Sequence, residues 1–210
     1  MTIFINLDTK QISPDQIAEN AIDNPELLQD LLNGIGPQTQ KSARRENCSQ
    51  ALIYMAETWP EILLSHWDFF IDLFSTNNGF SKYVAIYVIA SLVKADPSGR
   101  CEKNLDDYFK LLSDESVMVA SHAALNSAKI ALACPALQSE ITNRLLIIDQ
   151  THHDSGHLAL VKAYVIESLD ALYASSDLKP EIQAFVTAQL QCESPKTRKL
   201  AKAFQAKWEA

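Results

Sequence analysis

The densest set of residues able to do chemistry is Asp149, His152, His153, Asp154 and His157. His153 and His157 stand four apart, a spacing that can place two imidazoles on one helix face toward a metal ion. Ser155 and Gly156 lie between them, and that pair predicts a break and a polar inter-helix loop. Ser65, His66 and Asp68 are the residue types of a hydrolytic triad. Close neighbours on a helix do not face one another, and the chain has no GxSxG elbow, so they read as surface residues. Cys48, Cys101, Cys134 and Cys192 are dispersed with no CxxC pair, which predicts reduced thiols of an intracellular, cytoplasmic protein and no zinc site. No GxGxxG, GxxxxGK[ST] or other glycine-rich phosphate loop occurs. The sequence therefore predicts no catalytic residue, no metal and no cofactor.

Charge narrows the partners. The chain has 210 residues and a net charge of −8. Residues 1–195 hold 25 acids and 13 bases, and residues 196–210 hold five bases and one acid. The acidic body argues against nucleic acid and favours a basic or mixed-charge protein segment. Lys196, Arg198, Lys199, Lys202 and Lys207 form a possible basic patch on the last helix. The longest apolar run, Tyr83 to Val93, has eleven residues including Ser91, too short to cross a membrane. The first residues show no basic segment ahead of an apolar run, so no secretory signal is expected.

The elements that would position these residues are helices. Five glycines and eight prolines fall at plausible helix ends. Ser13-Pro14-Asp15 and Asn24-Pro25-Glu26 read as N-cap, first-turn proline and early acid. Gly34-Ile35-Gly36-Pro37 reads as a helix C-cap and turn. Leu63, Trp67, Phe70 and Phe74 recur at helical spacing, as do Leu105, Phe109 and Leu112. Helices are predicted near 14–22, 25–33, 38–58, 60–75, 80–95, 101–112, 116–133, 136–149, 157–174, 179–191 and 195–208. Only Ile3-Phe4-Ile5 hints at a strand. Trp59, Trp67, Phe69, Phe70 and Phe74 read as core, with Trp67 or Phe69 a possible partner anchor.

The chain also repeats itself. A small residue followed by a large apolar one recurs at Ala51-Leu52, Ser91-Leu92, Ala124-Leu125, Ser168-Leu169 and Ala203-Phe204. The large residues are spaced 40, 33, 44 and 35 apart, a mean of 38. Cys48, Val88, Ser121 and Val165 stand three residues before the small one. Each such helix follows a polar turn. A small residue beside a large one lets helices approach closely, and stacked pairs bury what one pair cannot.

The runs Val117 to Leu125 and Val161 to Leu169 resemble the second helix of HEAT repeats. Lys162 and Arg45 stand where that family places a basic residue, whereas Ala85, Met118 and Thr197 depart from it. Pro25, Pro60, Pro135 and Pro180 precede first helices as in that family. The resemblance implies an all-α, right-handed α-α superhelix, armadillo-like, of about five helical pairs. Residues 1–24 would form an N-terminal segment with a capping helix, and 25–210 a single continuous repeat domain. It further implies a non-catalytic scaffold that binds a protein or peptide on its concave face. DNA-alkylation-repair glycosylases and bilin lyases of similar architecture are the alternatives. Positions half a turn from the small-large stripe on second helices would face that partner: Tyr83, Tyr87, His122, Asn126, Lys162 and Glu167.

Overall fold

The computed structural model describes residues 6–9 and 12–208; the strand hint at Ile3-Phe4-Ile5 lies outside them. The described residues are all-helical, with no strand. No helix among them is long and apolar enough to cross a membrane. They fall into two compact units, Met1–Arg100 and Cys101–Ala210.

In the first unit, α1 (Pro14–Ile22) and α2 (Pro25–Asn33) begin where the Ser-Pro and Asn-Pro signals place them. Asn24 Oδ1 accepts from the Leu27 amide at 3.1 Å, satisfying one of the unpaired donors of the first turn. The next helix, α3 (Ala43–Thr58), starts five residues later than its predicted bound. Ser42 caps it, its Oγ accepting from the Arg45 amide at 3.1 Å. The predicted 60–75 helix is interrupted. It comprises α4 (Pro60–Leu63), a 3₁₀ turn at Leu64–His66 and α5 (Trp67–Leu73). Helix α6 (Gly79–Leu92) completes the unit, followed by a 3₁₀ turn at Val93–Ala95. Helix α3 packs against α1, α2 and α6, and α5 packs against α6. Helix α1, in the segment expected to cap the repeats, packs on α2 and α3.

Gly34 ends α2 with φ −67°, so it is not there for left-handed backbone. A Cβ at this position would overlap Cys48 Sγ, and glycine is what lets α3 come this close. Cys48 is fully buried, and burial pushes its thiol up to about 11. Trp67 and Phe70 are fully buried too, which corrects the idea of Trp67 as a partner anchor. The Arg100 guanidinium lies 4.9 Å from the Trp67 ring centroid and donates to the Leu64 carbonyl at 3.0 Å.

The second unit holds α8 (Leu105–Lys110), α9 (Val117–Ala133), α10 (Gln138–Leu146), α11 (Ser155–Leu172), α12 (Lys179–Ala188) and α13 (Pro195–Trp208). A short helix, α7 (Arg100–Lys103), starts at the boundary. Helix α11 packs between α9 and α13, while α10 contacts α9, α11 and α12. The small-large pairs sit in the interfaces at Leu52, Leu92, Leu169 and Phe204, all buried. Two positions depart from the pattern: Leu125 is only half-buried, and Ala203 is exposed.

Side-chain ties recur at about one repeat length in both units. In the first, Asn47 donates to the Leu7 and Thr9 carbonyls, 40 and 38 residues back. Asn78 donates to the carbonyls of Pro37 and Thr39, 41 and 39 back, and Lys94 to that of Glu57, 37 back. In the second, Ser168 Oγ donates to the Ala124 and Leu125 carbonyls, 44 and 43 back. Thr197 donates to the Ala159 carbonyl, 38 back. The acceptors in the first unit are the loop carbonyls of Leu7, Thr9, Pro37 and Thr39 and that of Glu57 at the end of α3, and those in the second unit lie within α9 and α11.

Candidate functional site

The expected contact residues gather in two places, one in each unit. In the second unit, His122 of α9 and Tyr164 of α11 are half-buried with ring centroids 5.7 Å apart. Lys196, in the first turn of α13, places Nζ 3.4 Å from the Tyr164 ring centroid, a cation–π contact. The same Nζ is 3.3 Å from Glu167 Oε1. Burial and then the Lys196 cation pull the His122 imidazole below its ordinary value, and Glu167 opposes them only in part. His122 is therefore neutral at pH 7. One turn before each ring stands an exposed apolar side chain: Met118, 42% exposed, before His122, and Leu160, 37% exposed, before Tyr164. Spacing of four puts each pair on one helix face.

Two expected residues do not serve as solvent-facing contacts. Asn126 is only 2% exposed and donates to the His122 carbonyl at 2.9 Å. The half-turn rule assumed one buried stripe, but α9 is covered on several sides. Ala120, Ala123, Ala124, Ser127 and Ala128 let its neighbours approach closely, and Tyr108 Oη reaches the Ala123 carbonyl at 2.9 Å. Lys162 keeps only 15% of its side chain exposed and is paired with Asp149 at 2.6 Å.

In the first unit, Tyr83 and Tyr87 of α6 are half-buried with centroids 4.9 Å apart. Phe80 extends the row, 6.2 Å from Tyr83, and the Arg45 guanidinium lies 4.0 Å from the Phe80 ring centroid. Burial, aided by the Tyr87 neighbour, pushes the Tyr83 phenol up to about 12. Tyr83 thus remains a neutral hydrogen-bonding group, and together the two rings form an aromatic strip.

The basic patch on α13 is largely engaged by the chain itself. Lys196 is committed to Tyr164 and Glu167. Arg198 Nη1 donates to the Cys192 and Glu193 carbonyls at 2.6 and 2.9 Å, and Lys207 pairs with Asp170 at 2.9 Å. Lys199 and Lys202 are exposed.

The histidine group diverges. His153 Nε2 meets the Leu112 carbonyl at 2.7 Å. His157 Nδ1 pairs with Asp154 Oδ2 at 2.7 Å, and Asp154 Oδ1 caps α11 through the His157 amide. Gly156 does not break the helix; it lies in the first turn. Among the described residues no three His, Cys, Asp or Glu side chains are grouped to hold a metal ion. Ser65 and Asp68 are exposed, and no hydrogen bond among the described residues joins them to His66.

Sequence reasoning missed Tyr164, Met118 and Leu160. The spacing of four that links Met118 to His122 and Leu160 to Tyr164 was the available signal. Comparison with family models, with curated proteins and with solved structures yields no match to this chain. The described residues define an all-α protein of helices packed against one another.

Proposed function

We propose that this chain is a non-catalytic helical-repeat scaffold of HEAT-like, solenoid type. It binds a protein or peptide partner on the α9–α11–α13 face. The observation that carries the reading is the exposure of Met118 and Leu160 beside the half-buried His122 and Tyr164 rings. Apolar groups next to aromatic rings with polar tips are the composition of interface centres. The Lys196–Glu167 pair supplies a mixed-charge edge that suits a partner segment of mixed charge. The ties at one repeat length support the repeat reading.

The glycosylase alternative needs a basic groove for a phosphate backbone. Engagement of Lys196, Arg198 and Lys207 by the chain itself favours the protein-binding reading over it. Nothing about the Tyr164 and Tyr83 clusters favours a tetrapyrrole ligand.

The test is a partner screen by cross-linking, followed by binding measured with the purified partner. Met118→Lys and Leu160→Lys should each weaken binding at least tenfold, as loss of an interface anchor does, with an unchanged unfolding midpoint. Full affinity in the double variant would reject the face. A low-salt DNA mobility shift that the partner does not displace would favour the nucleic-acid alternative.

A further inference from the structure

The second unit also carries a cleft lined by none of the expected contact residues. It lies between α8 and α10 and has a volume of about 450 Å³. That size is within the range of small-molecule sites, about 300–1,000 Å³. Phe109, Leu112 and Ile148 form an apolar floor, and Ile147, 50% exposed, forms one wall. A large aliphatic side chain left half in water inside a concavity gains by being covered.

The rim sets the charge of what would cover it. The Arg144 guanidinium is shared by two carboxylates, Asp106 Oδ1 at 2.6 Å and Glu140 Oε1 at 2.6 Å. Lys110 is already neutralised by Asp107 at 2.7 Å. Of these, Asp106, Lys110 and Arg144 line the cleft, and their partners Asp107 and Glu140 stand just outside it; together the five residues hold three carboxylates and two cations, an excess of one negative charge. Asp106 is its most accessible bearer, with a side chain 77% exposed that meets Arg144 through Oδ1. A ligand anion would face this excess carboxylate, and both rim cations are already committed. A neutral apolar ligand would gain the floor alone. Arg144 lies 5.2 Å from the Phe109 ring centroid, so that ring already accepts a cation beside it.

We propose that this cleft is a binding site for a small organic cation with an aromatic or branched apolar body. The body covers Phe109, Leu112, Ile147 and Ile148, and the cationic group pairs with Asp106 Oδ2. The site is independent of the α9–α11–α13 face and stands or falls separately from it.

The experiment titrates the ¹⁵N-labelled full chain at pH 7 with three probes of near-equal shape: phenethylamine, phenethyl alcohol and hydrocinnamate. Amide shifts should cluster at Phe109–Ser113 and Arg144–Thr151. The amine should bind about two- to fivefold more tightly than the alcohol, the scale of one partly exposed ion pair. Hydrocinnamate should bind most weakly. Ile147→Gln should weaken all three, and Asp106→Asn should abolish the lead of the amine while leaving the alcohol unchanged. Absence of saturable binding at millimolar concentration, or shifts scattered away from these segments, would overturn the proposal. So would equal or tighter binding of hydrocinnamate, or a lead of the amine that survives Asp106→Asn.

Discussion

Replacing Asp96 with alanine should destabilise the first unit more than any other single change to a loop residue described above. The Asp96 carboxylate has no exposed side-chain surface. It accepts from the Ser98 amide at 3.1 Å, Ser98 Oγ at 2.7 Å, the Arg100 amide at 2.6 Å and Arg100 Nε at 3.3 Å. A hydrogen bond to a charged group contributes about 1.5–3 kcal/mol. Ser98 is exposed, so water replaces its two bonds after truncation. The loss then rests on the two Arg100 bonds, and about 3 kcal/mol is expected for Asp96→Ala. Arg100 would also lose the anchor that holds it over Trp67. The acid dependence provides an internal check. Burial alone would raise the Asp96 carboxyl, but the bonds from Ser98 and Arg100 outweigh it and hold it below 3.8. A depressed carboxyl stabilises fully above its unfolded value and loses that stabilisation as pH falls through its folded value. Urea unfolding followed by tryptophan fluorescence should therefore show a gap between wild type and variant that is full at pH 7 and closes below about pH 3.8. A gap under about 0.5 kcal/mol at pH 7, or one that stays constant into acid, would refute the reasoning.

Four further outcomes are expected. Leu169→Ala, at a fully buried large position, should cost about 2–5 kcal/mol in denaturant unfolding, whereas half-buried Leu125→Ala should cost clearly less. Thr142 Oγ1 is buried without a hydrogen-bond partner, so Thr142→Val should leave stability unchanged or raise it by about 1 kcal/mol. Gly34→Ala should destabilise by about 1–3 kcal/mol, because its methyl meets Cys48, and Cys48→Ala should relieve only part of the penalty in a double-mutant cycle, since the Cys48 Cβ that remains is 2.9 Å from the added methyl. Native Cys48 should resist thiol labelling at pH 8 until urea unfolds the first unit, since it is buried and its thiol is pushed up to about 11.

Helix positions were most legible where an N-cap stood directly before a proline. Helices α1 and α2 begin and end at their predicted residues because Ser13-Pro14 and Asn24-Pro25 act locally. The interruption at Leu64–His66 was not legible. No glycine or proline stands there, and the Leu64 carbonyl is satisfied by Arg100, 36 residues away. The partial exposure of His122 and Glu167 could be read because each lies off the buried stripe of its own helix. Asn126 could not, because its burial depends on the number of neighbours around α9, which helical periodicity does not encode. The charge of α13 was legible, but its neutralisation by Glu167 and Asp170 depends on an adjacent helix.

The ties at one repeat length bear on how this chain could change length. Asn47, Asn78, Ser168 and Thr197 each reach back 38 to 44 residues to their acceptors. Each closes a loop of about one period, so the entropy of closure is similar for every tie and does not grow with the length of the chain. Under the proposed helical-repeat reading, an insertion or deletion of one whole period would offer each donor a carbonyl at about the same separation. A change of ten residues within the same stretch would strand donor and acceptor together. Duplication in whole periods is the route by which such a chain can lengthen while its backbone carbonyls stay satisfied.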